Sequence, residues 1–105
     1  MNGGFELKSH QTVIIDMPKG WSGRLWGRSG CTFDESGKVN CTTGDCGGRL
    51  ECAGAGGAPP ASLAEFTLDS PLDFYDVSLV DGYVYEPLGN NLCFCRLNND
   101  IIFNC

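Results

Sequence analysis

Nothing in this chain approaches the run of about twenty apolar residues that a membrane-spanning helix needs. Met1 is followed by Asn-Gly-Gly-Phe-Glu-Leu, with no apolar core of an export signal. There is a single histidine, His10, and no Ser or Cys is spaced from it to suggest a nucleophilic triad. Basic residues are few: 7 Lys and Arg stand against 13 Asp and Glu, a net charge of −6. That balance argues against nucleic acid or an anionic membrane surface as partner, since both would be repelled. From Glu65 to Glu86 there is no Lys or Arg at all. No internal repeat is present.

What the chain has in quantity is glycine, with 15 residues, and 5 prolines in 105. They deny it long helices and point to short strands joined by many turns. A single domain of this size, or a piece of one, buries roughly 65% of its unfolded surface, so its core alone leaves it marginal. Seven cysteines supply what the core lacks and imply an oxidising compartment. Disulfide-type composition without an export signal leads to the expectation that the chain lacks its beginning. The cysteine count is odd, so one thiol stays free or pairs outside the chain.

Taken in order, the segment Phe5 to Asp16 alternates and ends in Thr12-Val13-Ile14-Ile15, which reads as a strand, and Met17-Pro18-Lys19-Gly20 turns. Trp21 to Arg28 reads as a second strand with Arg24 and Trp26 on one face. Asp34 to Lys38 reads as a hairpin turn between Cys31-Thr32-Phe33 and Val39-Asn40-Cys41. Cys46 to Pro60 is too irregular for regular structure. Leu63 to Gly82 reads as two strands around Asp69-Ser70-Pro71. A capping box at Ser62 to Glu65 offers a helix instead, but Pro71 would stop it before it could nucleate. In these strands Glu65 and Thr67 share one face and Phe66 and Leu68 the other. Tyr75, Val77 and Leu79 oppose Phe74, Asp76, Ser78 and Val80, and Asp81-Gly82 turns. Residues 84–105, Asn- and Cys-rich without an amphipathic period, read as a divergent tail holding Cys93, Cys95 and Cys105.

Cys31, Cys41, Cys46 and Cys52 enclose short loops, and local bridges Cys31–Cys41 and Cys46–Cys52 are geometrically easy. Each would contribute about 2–3 kcal/mol by restricting the unfolded chain. None of the spacings is C-x-x-C and His10 is distant, so no metal is expected here. Gly44-Asp45-Cys46-Gly47-Gly48 lacks the Gly-Lys-Ser/Thr ending of a phosphate-binding loop, and reads as a tight turn around a disulfide. No cofactor is implied. The acids are the informative group. A run of them is commonly a solvated face, yet Glu65 and Asp76 sit inside strands among aromatic residues and can converge with Asp81 on one groove. Carboxylates bonding hydroxyls beside rings that stack on sugar faces are the means of a carbohydrate groove, and two opposed carboxylates are the minimum for glycoside hydrolysis.

The stretch Gly37 to Cys52, GKVNCTTGDCGGRLEC, resembles the signature of the thaumatin-like proteins, the plant family that includes osmotin and zeamatin. Val39 departs from it, standing where the pattern has Gly or Phe. The blocks GWSGRLWGRSGCTFD, PPASLAEFTL and DFYDVSLVDGY are similar to family blocks, in family order. The resemblance covers residues 3–83 and implies an all-β fold, a partial β-sandwich with disulfide-stapled loops, in a secreted plant defence protein. It further implies an acidic cleft lined by an Arg, a Glu and three Asp, which fall on Arg24, Glu65, Asp76 and Asp81, with no counterpart for the third Asp. After Tyr83 the family's continuation is replaced by Val84-Tyr85-Glu86-Pro87, so the chain is expected to be truncated at both ends. The expected function is binding of β-1,3-glucan or another fungal cell-wall polysaccharide, with antifungal action. A weak endo-β-1,3-glucanase with Glu65 as general acid and Asp81 or Asp76 as second carboxylate is the alternative, and an inactive remnant a third.

Overall fold

The computed structural model describes residues 3–8, 10–68, 72–82, 93–97 and 100–104, and among them every regular element is a β-strand. The strands are β1 (Thr12–Asp16), β2 (Ser22–Trp26), β3 (Thr32–Phe33), β4 (Val39–Asn40), β5 (Leu63–Thr67), β6 (Phe74–Ser78), β7 (Cys93–Leu97) and β8 (Asp100–Asn104). They form three antiparallel sheets, ordered β1-β8-β7, β2-β5-β6 and β3-β4. The expected all-β architecture is therefore present as a partial sandwich. The helix signal at Ser62 is overridden because β5, the central strand of its sheet, is paired on both sides and buries Leu63, Ala64 and Phe66.

The core lies on the face of β5 that carries Ala64 and Phe66. Together with Leu68 they form a buried cluster, and Phe5, Leu7, Ile15, Met17, Trp21 and Leu25 pack against it. Full burial of a side chain such as Phe66 stabilises by about 1.5–3 kcal/mol. The Trp21 ring stands 6.4 Å from that of Phe66, tilted by 43°, and folds over Gly23, where a Cβ would meet the indole at 2.6 Å. Phe5 and Leu7 reach the core from extended chain outside any strand, and Val13 and Ile15 alternate with exposed Thr12, Ile14 and Asp16 along β1. Within residues 84–105, read as a divergent tail, β7 and β8 pair antiparallel with each other, and β8 pairs with β1 from Thr12↔Asn104 to Asp16↔Asp100. Val84-Tyr85-Glu86-Pro87, Asp69-Ser70-Pro71 and Cys105 lie outside the described residues.

Between β2 and β5 the chain leaves the sheet for the stapled segment. Cys31 bridges Cys41 with Cα atoms 3.9 Å apart, and Cys46 bridges Cys52 at 5.5 Å. The first separation is shorter than the usual 4.4–6.8 Å range, as suits residues flanking the short β3–β4 hairpin. Val39, Cys46 and Cys52 are buried here, so the position that departs from the signature is a packed one. The segment is anchored by three side chains. Trp26 Nε1 donates to the Gly44 carbonyl at 2.8 Å, with Gly44 and Gly57 so close that a Cβ on either would strike the indole. Arg28 donates to the Arg49 and Leu50 carbonyls at 2.7 and 2.6 Å. Asp34 accepts from the Ser36 hydroxyl at 2.6 Å and from the Ser36 and Lys38 amides at 3.0 and 2.8 Å, closing the hairpin turn.

Candidate functional site

Residues directly opposite one another in an antiparallel sheet project to the same face. The register Arg24↔Glu65 and Glu65↔Asp76 therefore puts one guanidinium and two carboxylates in a single row across β2, β5 and β6. The next row on that face is Ser22, Thr67 and Phe74. Ser22 Oγ lies 3.3 Å from the Phe66 carbonyl and 3.4 Å from Thr67 Oγ1. These two rows line an open groove of about 520 Å³. On the other side of the acid row stands the row Trp26, Leu63 and Ser78. There Trp26 is held by the Gly44 carbonyl and Leu63 is buried, so that end of the face is closed by the stapled segment.

Arg24, Glu65 and Asp76, expected to share a surface, are brought together. Asp81 is not in this row. It sits in the turn after β6, where Gly82 N donates to the Leu79 carbonyl at 3.0 Å and the Asp81 carbonyl accepts from Ala61 N at 3.2 Å. That places Asp81 beside the entry to β5, on the far side of the Trp26 row. Among the described residues Arg24 closes no ion pair with Glu65 or Asp76, so their hydrogen-bonding capacity faces the groove. Trp26 shares its strand face with Arg24, as the alternation of Trp21 to Arg28 implies, but its indole is engaged by the loop. Phe74 is the ring left in the open, 58% exposed beside Asp76 on the same face. The period-2 pattern of β6 already carried that signal, since it set Phe74 and Asp76 on one side.

The glycine cluster is occupied from within the chain. Asp45 accepts from the Cys41 amide at 2.8 Å and from the Gly48 and Gly47 amides at 3.0 and 3.1 Å. These bonds, from Cys41 first and Gly48 next, hold its carboxyl below the usual range, with the Arg28 charge adding last. Burial lowers the Arg28 guanidinium's own value, and Asp45 opposes that shift. The amides that could have cradled a phosphate are taken by a carboxylate.

The described residues are thus all-β, stapled by two short-range disulfides, with a mixed-charge row on an open sheet face. The thaumatin family model matches residues 1–89, and the chain belongs to that family. It is 64% identical over 81 residues to a thaumatin-like protein of Arabidopsis thaliana, covering 77% of this chain and 33% of that protein. To pathogenesis-related protein 5 of the same plant it is 61% identical over 84 residues, 78% of this chain and 34% of that one. Pathogenesis-related thaumatin-like protein 3.4 of Cryptomeria japonica aligns with 98% of this chain and 44% of its own length at 53% identity. The chain thus spans about a third of the length of the first two relatives, and the third runs through residues read as the tail.

Proposed function

We propose that this chain carries the glucan-binding face of a secreted, pathogenesis-related plant defence protein, with β-1,3-glucan as ligand and antifungal action belonging to the intact protein. The observation that carries the reading is the row Arg24, Glu65 and Asp76 with the exposed Phe74 ring beside it. Carboxylates accept from sugar hydroxyls, a guanidinium donates to them, and a ring stacks on the apolar face of a pyranose. An open groove without enclosing walls suits a polymer threading across it rather than a small molecule.

The test is retention on insoluble β-1,3-glucan. Glu65→Gln removes the charge and keeps the shape; losing a charge-assisted hydrogen bond of about 1.5 kcal/mol weakens binding roughly tenfold. Asp76→Asn is expected to act similarly and Phe74→Ala to remove the stacking contribution. Retention unchanged in all three variants defeats the reading. A hydrolytic second reading draws on the same register, because directly opposed residues have Cβ atoms about 4.5–5.5 Å apart, within reach of the separation of about 5–5.5 Å used by retaining glycosidases. Its pair is Glu65 with Asp76 rather than Asp81. Reducing sugar released by the wild type and lost in Glu65→Gln distinguishes it from binding alone, and neither binding nor release leaves a remnant.

A further inference from the structure

The chain contains one Asn-Xaa-Ser/Thr tripeptide, Asn40-Cys41-Thr42, the acceptor pattern for N-linked glycans. It lies on β4 and the bend after it, in the stapled segment, and none of its three residues lines the groove of the acid row. Along β4 the side chains alternate: Val39 points inward, and Asn40, opposite Thr32, is exposed. Among the described residues the Asn40 side-chain amide makes no hydrogen bond. Gly48 lies beside its Oδ1, where a Cβ would stand 3.2 Å away. The two disulfides of the same segment require an oxidising compartment, which for a eukaryotic chain is also where the oligosaccharide transferase works.

We propose that Asn40 is an N-glycosylation acceptor and that its modification competes with closure of the Cys31–Cys41 bridge. In the transfer, Asn40 Nδ2 attacks the anomeric carbon of a lipid-diphosphate-linked oligosaccharide. The N–C bond forms, the bond from that carbon to the diphosphate oxygen breaks, the lipid diphosphate leaves with the electron pair, and Nδ2 gives up one proton. The transferase requires the tripeptide extended and free, with the Thr hydroxyl available. In the folded chain none of the three residues is free. Asn40 is in the β3–β4 ladder, and Cys41 is bridged to Cys31 while its amide is held by Asp45 at 2.8 Å. Thr42 N donates to the Ser29 carbonyl at 2.9 Å, and its hydroxyl lies 3.4 Å from the Gly30 carbonyl. The glycan must therefore be attached before this hairpin closes, and the outward Asn40 side chain then accommodates it.

The test expresses the chain behind a cleavable export leader in a plant or insect cell, and maps Asn40 by mass spectrometry in the pooled cell-associated and secreted protein. Removal of the glycan by a peptide N-glycosidase in ¹⁸O water marks the site as Asp. The wild type is expected to be modified on part of the molecules, Asn40→Gln and Thr42→Val to lose the glycan mass entirely, and Cys31→Ser to approach full occupancy. An unmodified Asn40 in the wild-type chain overturns the assignment, whatever Cys31→Ser shows, and modification surviving Thr42→Val overturns the tripeptide as its cause. Equal occupancy in wild type and Cys31→Ser overturns the competition. Because the leader imposes the secretory route and the readout is covalent, failure here leaves the glucan reading untouched.

Discussion

Phe66 and Tyr75 stand directly opposite each other on neighbouring strands and face the same side of one sheet, yet Phe66 is 7% exposed and Tyr75 72%. Their neighbours repeat the contrast, Ala64 at 4% beside Val77 at 67%. The core stops between β5 and β6. A strand's alternation assigns a face, but burial of that face needs a second layer, and Phe5, Leu7, Ile15 and Met17 supply one over β5. The stapled segment shows the opposite economy, with few apolar residues but two disulfides and three anchoring polar side chains. One region is held by cover, another by covalent and hydrogen-bonded closure, and β6, among the described residues, by strand pairing to β5.

The largest expected effect tests the first half of that contrast. Phe66→Ala removes a ring from the covered face and is expected to cost about 3–5 kcal/mol, enough to abolish a cooperative urea transition in a chain this small. Tyr75→Ala, one strand away, is expected to shift the midpoint by no more than about 0.5 kcal/mol. Comparable losses in both variants, followed by tryptophan fluorescence, would mean that β6 is covered in solution. Next in size is the staple. Replacing Cys46 and Cys52 together by Ala opens a short loop and is expected to cost about 2–3 kcal/mol. If the double variant melts with the wild type, the polar anchors alone hold the segment.

The sheet and the alignment of Glu65 and Asp76 on one of its faces were largely legible because they depend on local pattern. The period-2 alternation of Leu63 to Ser78 set Glu65 with Thr67 and Asp76 with Phe74, and antiparallel pairing then needed only the register to align Arg24. The hairpin at Asp34 to Lys38 was legible from turn chemistry. The roles of Trp26, Arg28 and Asp45 were not. Trp26 and Arg28 depend on chain closing over a distance, on Gly44 and on Leu50, while Asp45 depends on a local loop that curls the Cys41, Gly47 and Gly48 amides around one carboxylate, a geometry that composition does not reveal. A tryptophan sharing a strand face with an arginine looks available for stacking until the loop that claims its N–H is folded. Asp81 failed to join the row for a related reason: alternation gives a face but not the position along it at which a turn leaves the sheet.

The smallest effect separates the stapled segment from the covered face of β5 by pH. Asp34 and Asp45 are both held below the ordinary carboxylate value, Asp34 by the Ser36 hydroxyl first and the Lys38 amide next, Asp45 by the Cys41 and Gly48 amides. A carboxyl whose value is depressed on folding binds its proton more readily in the unfolded chain, so the folded state gains stability as pH rises. That contribution is complete above the unfolded value of about 4 and is lost as pH falls through the lower folded value. Acid should therefore loosen the hairpin turn and the Asp45 loop, while the apolar contacts of Phe66 carry no such dependence. Asp45→Asn keeps the size but turns a side-chain N–H₂ toward amides that are themselves donors. The variant is expected to be less stable than wild type at pH 7 and to lose less on going from pH 6 to pH 3, so that the two denaturation midpoints converge in acid. Midpoints that stay parallel across that range would mean that the Asp45 carboxylate does not hold the loop, leaving the two disulfides and Arg28 as its closure.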